Sequence, residues 1–243
     1  MKVIAVFKWS RNPQDALVKA DGSVEWPGVK MSANDDDPAV MEIAKTIAAG
    51  DEIIGLTIGD GDISWAAARG ATRTVVITDA LTEANSSLTG SVLAAAIRRI
   101  EDAVAVVIGD SSWDYGVVSA LTGQLGRTSV AGIVEVKIEQ GRLLATRKMG
   151  SVSQVLQING PVVLGVAASR EEQNAPSMKE VIMSRKKPVE RLTLADLNLP
   201  VLANTVSRGS KFPAKPPAHI IDGADPAKAC EELLAALHTE GVI

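Results

Sequence analysis

Chemistry is most readily placed where an apolar run breaks into small polar residues, in "VVIGDSSWDYGVVSAL", residues 106–121. Gly109 lets backbone approach a ligand closely, and Ser111 and Ser112 bring hydroxyls. Asp114 can cap a following helix, or accept from a ribose hydroxyl or an adenine amine. The backbone N–H groups of Tyr115, Gly116 and Val117 would form the first turn, where they lack partners within the helix and favour a phosphate. Small residues at Ser119 and Ala120 leave the approach open. An aspartate before a helix is most often an ordinary cap, so this stretch alone favours a structural turn over a nucleotide site. The glycines do not form G-x-G-x-x-G, and "IGDGD" after residue 57 lacks the Lys-Ser/Thr of a P-loop. That argues against an ordinary dehydrogenase and a P-loop NTPase. The two histidines, His219 and His238, both lie near the end of the chain, and Cys230 is the single cysteine. A histidine triad, a multi-cysteine metal centre and an internal disulfide are therefore not expected.

A second stretch, "NAPSMKEVIMSRKKPVERLTLADLNL" at residues 174–199, carries apolar residues outside the main pattern. Pro176 and Ser177 suit a helix start, and Met178, Val181, Ile182 and Met183 follow. Arg185, Lys186, Lys187 and Arg191 then form a basic cluster. Two readings stand side by side. One is a helix packed on its own sheet with a solvated charged end; the other is an arm that docks on a partner.

These residues need a frame. Residues 3–7, 52–58, 74–77, 104–108 and 161–168 are short apolar runs, as strands buried on both faces require. Residues 38–49, 63–69, 87–100 and 115–125 between them read as helices. Val40, Ile43, Ala44 and Ile47 share one face, as do Leu93, Ala96, Ile97 and Ile100. Asp35, Asp36 and Asp37 suit the N-terminal end of the first of these helices. Strands alternating with helices imply right-handed β-α-β units. Residues 130–138 and 142–148 alternate about Gln140-Gly141 as an antiparallel hairpin, 151–158 adds a strand, and 16–26 turns at Asp21-Gly22. "KFPAKPP" at 211–217 is linker-like, and 226–237 forms a last helix. The expectation is an α/β fold: a parallel twisted sheet flanked by helices, Rossmann-like and adenine-nucleotide-binding, with an antiparallel hairpin and an extended C-terminal arm. Residues 1–168 would form the nucleotide-binding domain, and 169–243 the arm with its partner-recognition segment and tail helix. Ligands of such sheets sit at the carboxyl ends of strands near a switch point, which favours the loops after Phe7, Ile58 and Ile108 and the acidic segment from Asn34.

The 243 residues are 46% hydrophobic and 22% charged, ordinary for one large α/β domain with appendages. A net charge of −4 gives no reason to expect nucleic acid or an anionic membrane. The longest apolar runs are too short for membrane insertion, and the start lacks a signal-peptide pattern, so a cytoplasmic location is expected.

A series of pieces in order carries a resemblance that covers residues 1–199. They are "VIAVFKWS" with Lys8, "DGSVEWPGVKMSANDDDPAVMEIA" with Asn34, "GATRTVVITD", "GDSSWDYGV", "PSMKEVIMSRKKP", and the lysine pair Lys186-Lys187 within the last. Together they resemble the β-subunit of electron transfer flavoproteins, most closely the branch associated with acyl-CoA or carnitine-type metabolism. The resemblance implies a heterodimer in which an α-subunit holds most of a redox FAD. The β-subunit braces that flavin and carries a second nucleotide, AMP or, in electron-bifurcating members, a second FAD. By position, the resemblance places cofactor contacts on Val6, Asn34, Asp35, Asp36, Asp37, Ile58, Ser112, Trp113, Asp114, Tyr115, Gly116, Val117, Val118, Ser119, Ala120 and Gly123. It places partner contacts on Ala175, Pro176, Met178, Met183, Lys186 and Lys187, facing a flavin dehydrogenase such as an acyl-CoA dehydrogenase.

The chain departs from the family's nucleotide loop, Asp-Asp-Asp-x-Asn-Gln-Thr-Gly. Asp114 keeps one acidic position, but the Gln and Thr are absent and Ser119 is the hydroxyl that remains. Ala175 replaces a large aliphatic anchor in the recognition segment. The role implied is an electron carrier without bond-making catalysis of its own. A stand-alone adenine-nucleotide-binding regulator is the competing reading. A ligase of the ATP-pyrophosphatase type would need Ser-Gly-Gly-x-Asp after the first strand, which "FKWSRNPQD" lacks.

Overall fold

The computed structural model describes residues 1–59, 61–80, 85–110, 115–167, 175–199 and 218–243. They fall into two compact units, Met1–Val18 with Val24–Arg208, and Lys19–Ser23 with Gly209–Ile243. The elements run β1 (Lys2–Val6), β2 (Trp9–Ser10), β3 (Leu17–Val18), β4 (Val24–Glu25), β5 (Ser32–Ala33), α1 (Asp37–Ala48), β6 (Glu52–Ile58), α2 (Trp65–Ala68) and β7 (Arg73–Ile77). There follow α3 (Ser86–Arg98), β8 (Ala103–Gly109), α4 (Tyr115–Leu125), β9 (Thr128–Glu139), β10 (Arg142–Met149), β11 (Val152–Ile158), β12 (Val162–Val166), α5 (Met178–Ser184) and β13 (Val189–Leu192). The second unit contains α6 (Pro226–Thr239), which Asp225 caps through its carboxylate.

The continuous apolar strands dictate the sheet. With both faces to bury, they must be joined by crossover helices and lie parallel. The nine-stranded order is β11-β10-β9-β12-β8-β1-β6-β7-β13. Pairing is parallel from β9 across to β13, and β10 and β11 add antiparallel strands at one edge. At the centre, Val6 stands level with Leu56 on one side and Ile108 on the other. Alternate residues of β1 feed two cores. Val3, Ala5 and Phe7 meet α1 through Val40, Met41, Ala44 and Ile47. Ile4 and Val6 join the opposite core with Val92, Leu93, Val117 and Leu121 of α3 and α4. The α/β architecture expected from the sequence is therefore the one observed.

From β1 the chain adds β6 and β7 on one side, then crosses back to place β8 on the other. The switch point lies between β1 and β8, where flanking helices leave on opposite faces and a crevice opens at the carboxyl ends. Helices α3 and α4 close one side of it. They approach so nearly that a Cβ on Gly90 would lie 2.7 Å from the Ala120 Cβ and 2.8 Å from the Leu121 nitrogen.

Details differ from the sequence expectation. β13 is an additional parallel strand inside the expected arm, pairing Val189 with Thr74 and Leu192 with Ile77. Its outward Glu190 and Arg191 disguise it, as an edge strand needs only one apolar side. α2 spans four residues, Trp65–Ala68, rather than the seven of 63–69, and Gly70 turns the chain just after it at φ +117°. The turn between β9 and β10 falls at Gln140-Gly141, both at positive φ (51° and 75°), the backbone that two-residue hairpins require. Among the described residues no helix is long and apolar enough to cross a membrane.

Candidate functional site

A cleft opens at the carboxyl ends of β1, β6 and β8, where ligands of parallel sheets bind. Val6, Phe7, Lys8 and Trp9 line it from the end of β1, and Thr57 and Ile58 from the end of β6. Ile108 and Gly109 close it from β8, Asn34 and Asp37 from the start of α1, and Thr89, Leu93 and Val117 from α3 and α4. Its wall is largely apolar with a few convergent polar groups.

Asp37 organises one side. Its carboxylate Oδ2 accepts the Lys8 N–H and the Asn34 N–H, each at 2.9 Å. Because Lys8 lies just beyond β1 and Asn34 precedes α1, one carboxylate fastens both ends of the first connection. The Asn34 N–H also donates to the Lys8 carbonyl at 3.2 Å, and the short β2–β5 ladder, Trp9 with Ala33, continues the fastening. The Asn34 side chain turns inward and accepts the Asp35 N–H at 2.8 Å. Asp37 is only 2% exposed. Burial pushes its carboxyl up to about 8; the Lys8 and Asn34 N–H donors pull the other way, Asp36 adds to the rise, and the Lys8 charge opposes it. Asp36 itself is buried against β8, and a Cβ on Gly109 would lie 2.9 Å from its Cβ. Glycine at 109 is thus what lets the start of α1 close over β8.

Thr57 is 1% exposed, and among the described residues its hydroxyl has no hydrogen-bond partner. Such orphans are uncommon in folded proteins and mark places where a further group is accommodated.

The structure gathers Val6, Asn34, Asp37, Ile58 and Val117 of the expected cofactor residues into this one cavity wall. Asp35 is exposed and not among the residues that line the cavity. Val118 is buried in the core shared by α3 and α4. Gly116 packs on Ser86 and Ala120 on Gly90, so their smallness serves helix packing. Ser119 and Gly123 are exposed on α4, and Tyr115 begins it. Ser111, Ser112, Trp113 and Asp114 lie outside the described residues. Gly109, singled out in the sequence for close backbone approach, lines the cavity, as do Phe7, Lys8, Trp9, Thr57, Thr89, Leu93 and Ile108, which were not named as contacts. Position at a strand's carboxyl end could have found all but Thr89 and Leu93, which only the docking of α3 brings in.

A model of the electron transfer flavoprotein domain matches residues 26–197, more than half of the chain. The chain belongs to the electron transfer flavoprotein family. Proteins of this family carry electrons rather than catalyse bond changes. The match takes in α1, most of the sheet and the segment beyond β12, and so covers most of the cavity wall.

In this electron transfer flavoprotein domain the segment beyond β12 is held from two sides. Ser177 and Glu180 form a capping box at the start of α5, with the Ser177 N–H donating to the Glu180 carboxylate at 2.7 Å. Those bonds hold the Glu180 carboxyl below its usual range. The Lys187 ammonium donates to the carbonyls of Ala67 and Ala71 at 2.8 and 2.7 Å, tying the end of α5 to the end of α2. Partial burial lowers the Lys187 pKa, against the attraction of Glu180. Lys186, Met178 and Met183 are exposed, as is Ala175, and Pro176 is half-buried.

Proposed function

We propose that this chain is the β-subunit of a heterodimeric electron transfer flavoprotein, in the branch associated with acyl-CoA or carnitine-type metabolism. An α-subunit holds most of the redox FAD. That flavin exchanges electrons with a flavin dehydrogenase such as an acyl-CoA dehydrogenase, in the cytoplasm. The observation that carries the reading is the cavity at the β1/β8 switch point, within a chain whose family carries electrons. Its place at the carboxyl ends of the strands suits AMP or the adenylate half of a second FAD, and the Thr57 hydroxyl on its wall, unpaired among the described residues, fits a polar ligand. Val6, Ile58 and Val117 would enclose the base and ribose, and Asn34, Thr57 and Thr89 would offer polar contacts. FAD supplies the electron transfer; AMP would be structural.

The chain's own contribution is binding, orientation and electrostatics. Asp37 keeps Lys8 and Asn34 at the cavity. Lys187 holds α5 against α2, so that Met178, Ile182 and Met183 present an apolar surface to the dehydrogenase. The test is to copurify the chain with its candidate α-subunit, release the nucleotides with acid and separate them. One FAD with one AMP, or two FAD, per heterodimer is the expected result. A chain that recovers no flavin-bearing partner and retains no adenine nucleotide overturns the proposal.

A further inference from the structure

The described tryptophans differ in what covers their rings. Trp65 is stacked on Phe7 at 5.4 Å between centroids and has the Arg69 guanidinium 4.1 Å from its own. Trp26 has the Arg11 guanidinium at 5.5 Å. Trp9 lines the cavity, and among the described residues no aromatic ring or cation lies over it. It is nevertheless held firmly. Its backbone is in the ladder with Ala33, and the preceding Lys8 N–H is bound by Asp37. The side chain is half-buried against the core that contains Phe7 and Val40. Gly61 abuts its Cβ, Cγ and Cδ1 so closely that a side chain at 61 would coincide with the indole. An immobilised aromatic surface on a largely apolar cavity offers stacking at little entropic cost, and stacking is tolerant of which base is present.

We propose that Trp9 is a specificity-determining wall of the cavity, the surface on which the planar ring of a bound nucleotide stacks. This rests on the reading that the cavity takes an adenine nucleotide, and names the residue that would select a planar base. The Asp37 carboxyl and the Asn34 side-chain oxygen are committed to the loop they hold, and Trp9 adds a planar surface that these polar groups do not supply.

The test uses the heterodimer stripped of nucleotide and titrated with AMP and with FAD, following both heat and tryptophan fluorescence. The wild type is expected to bind at least one of them with quenching of its fluorescence. Trp9→Leu keeps apolar bulk and should weaken binding by roughly 5- to 150-fold, the range for losing one base–aromatic stack. Trp9→Phe should bind within about threefold of the wild type yet lose most of the quenching, which a purely structural role would not predict. Undiminished affinity in Trp9→Leu, or full quenching in Trp9→Phe, overturns the proposal and leaves the nucleotide reading intact. A wild type that binds neither AMP nor FAD overturns that reading, and this proposal with it.

Discussion

Asp37 concentrates the most physical tension in one side chain. A carboxyl at the start of a helix suits the helix dipole, and two N–H donors favour its ionised form; burial opposes both. Burial prevails, and the group moves from an ordinary 3.8 to about 8. Between these values the folded chain keeps a proton that the unfolded chain gives up. The associated stability is fully present below pH 3.8 and is lost as pH rises through about 8. The slope is at most about 1.4 kcal/mol per pH unit, for a difference of one proton. Asp37→Asn should flatten that part of the pH dependence while its side-chain oxygen still accepts from Lys8 and Asn34. Urea unfolding at several pH values across the window measures it; an unchanged slope would refute the assignment. Strand position marked the loops after Phe7 and Ile58 and the acidic segment from Asn34 as candidate site loops, and the resemblance named Val6, Asn34, Asp37 and Ile58, which the structure gathers on one cavity wall. The inward commitment of the Asp37 and Asn34 side chains was not legible, since it depends on where Lys8 and Asp35 lie in three dimensions.

At the scale of elements, α3 and α4 show how small residues set a distance. Gly90→Ala would drive a methyl toward Ala120 and the Leu121 backbone, and should destabilise the chain by about 1–3 kcal/mol, read as a lower urea midpoint. Gly123→Ala is the control on α4: the site is exposed with nothing within 4 Å, so it should stabilise by about 0.5–1 kcal/mol. The tie from Lys187 to the Ala67 and Ala71 carbonyls is the other joint. Lys187→Met should cost about 1–2 kcal/mol and speed amide exchange across α5 and β13 ahead of β1, β6 and β8. Equal acceleration throughout would show that the tie is not local. The sequence pattern marked the helix of α5 and the basic cluster after it. It left open whether those lysines face a partner or their own fold. The structure divides them, with Lys187 turned onto α2 and Lys186 exposed.

At the scale of the whole molecule, the exposed Met178, Ile182 and Met183 are where the proposed electron partner would dock. Because all three are exposed, Ile182→Asp should leave the urea midpoint within about 0.5 kcal/mol of the wild type. It should slow reduction of the heterodimer by its dehydrogenase, as stopped-flow absorbance would show. An unchanged rate would remove α5 from the docking surface. By itself the sequence determined the parallel sheet, the crossover helices and the Gln140-Gly141 hairpin, because these follow from local periodicity and turn chemistry. It also carried the family likeness, in motifs spread along the chain. Only the tertiary structure decided that β13 completes the sheet, that Thr89 and Leu93 of α3 meet Trp9 of β2 around one cavity, and that Lys187 points inward. The reason is physical: periodicity records which face of an element is buried, but not which distant element covers it, and each of these contacts joins segments far apart in the chain.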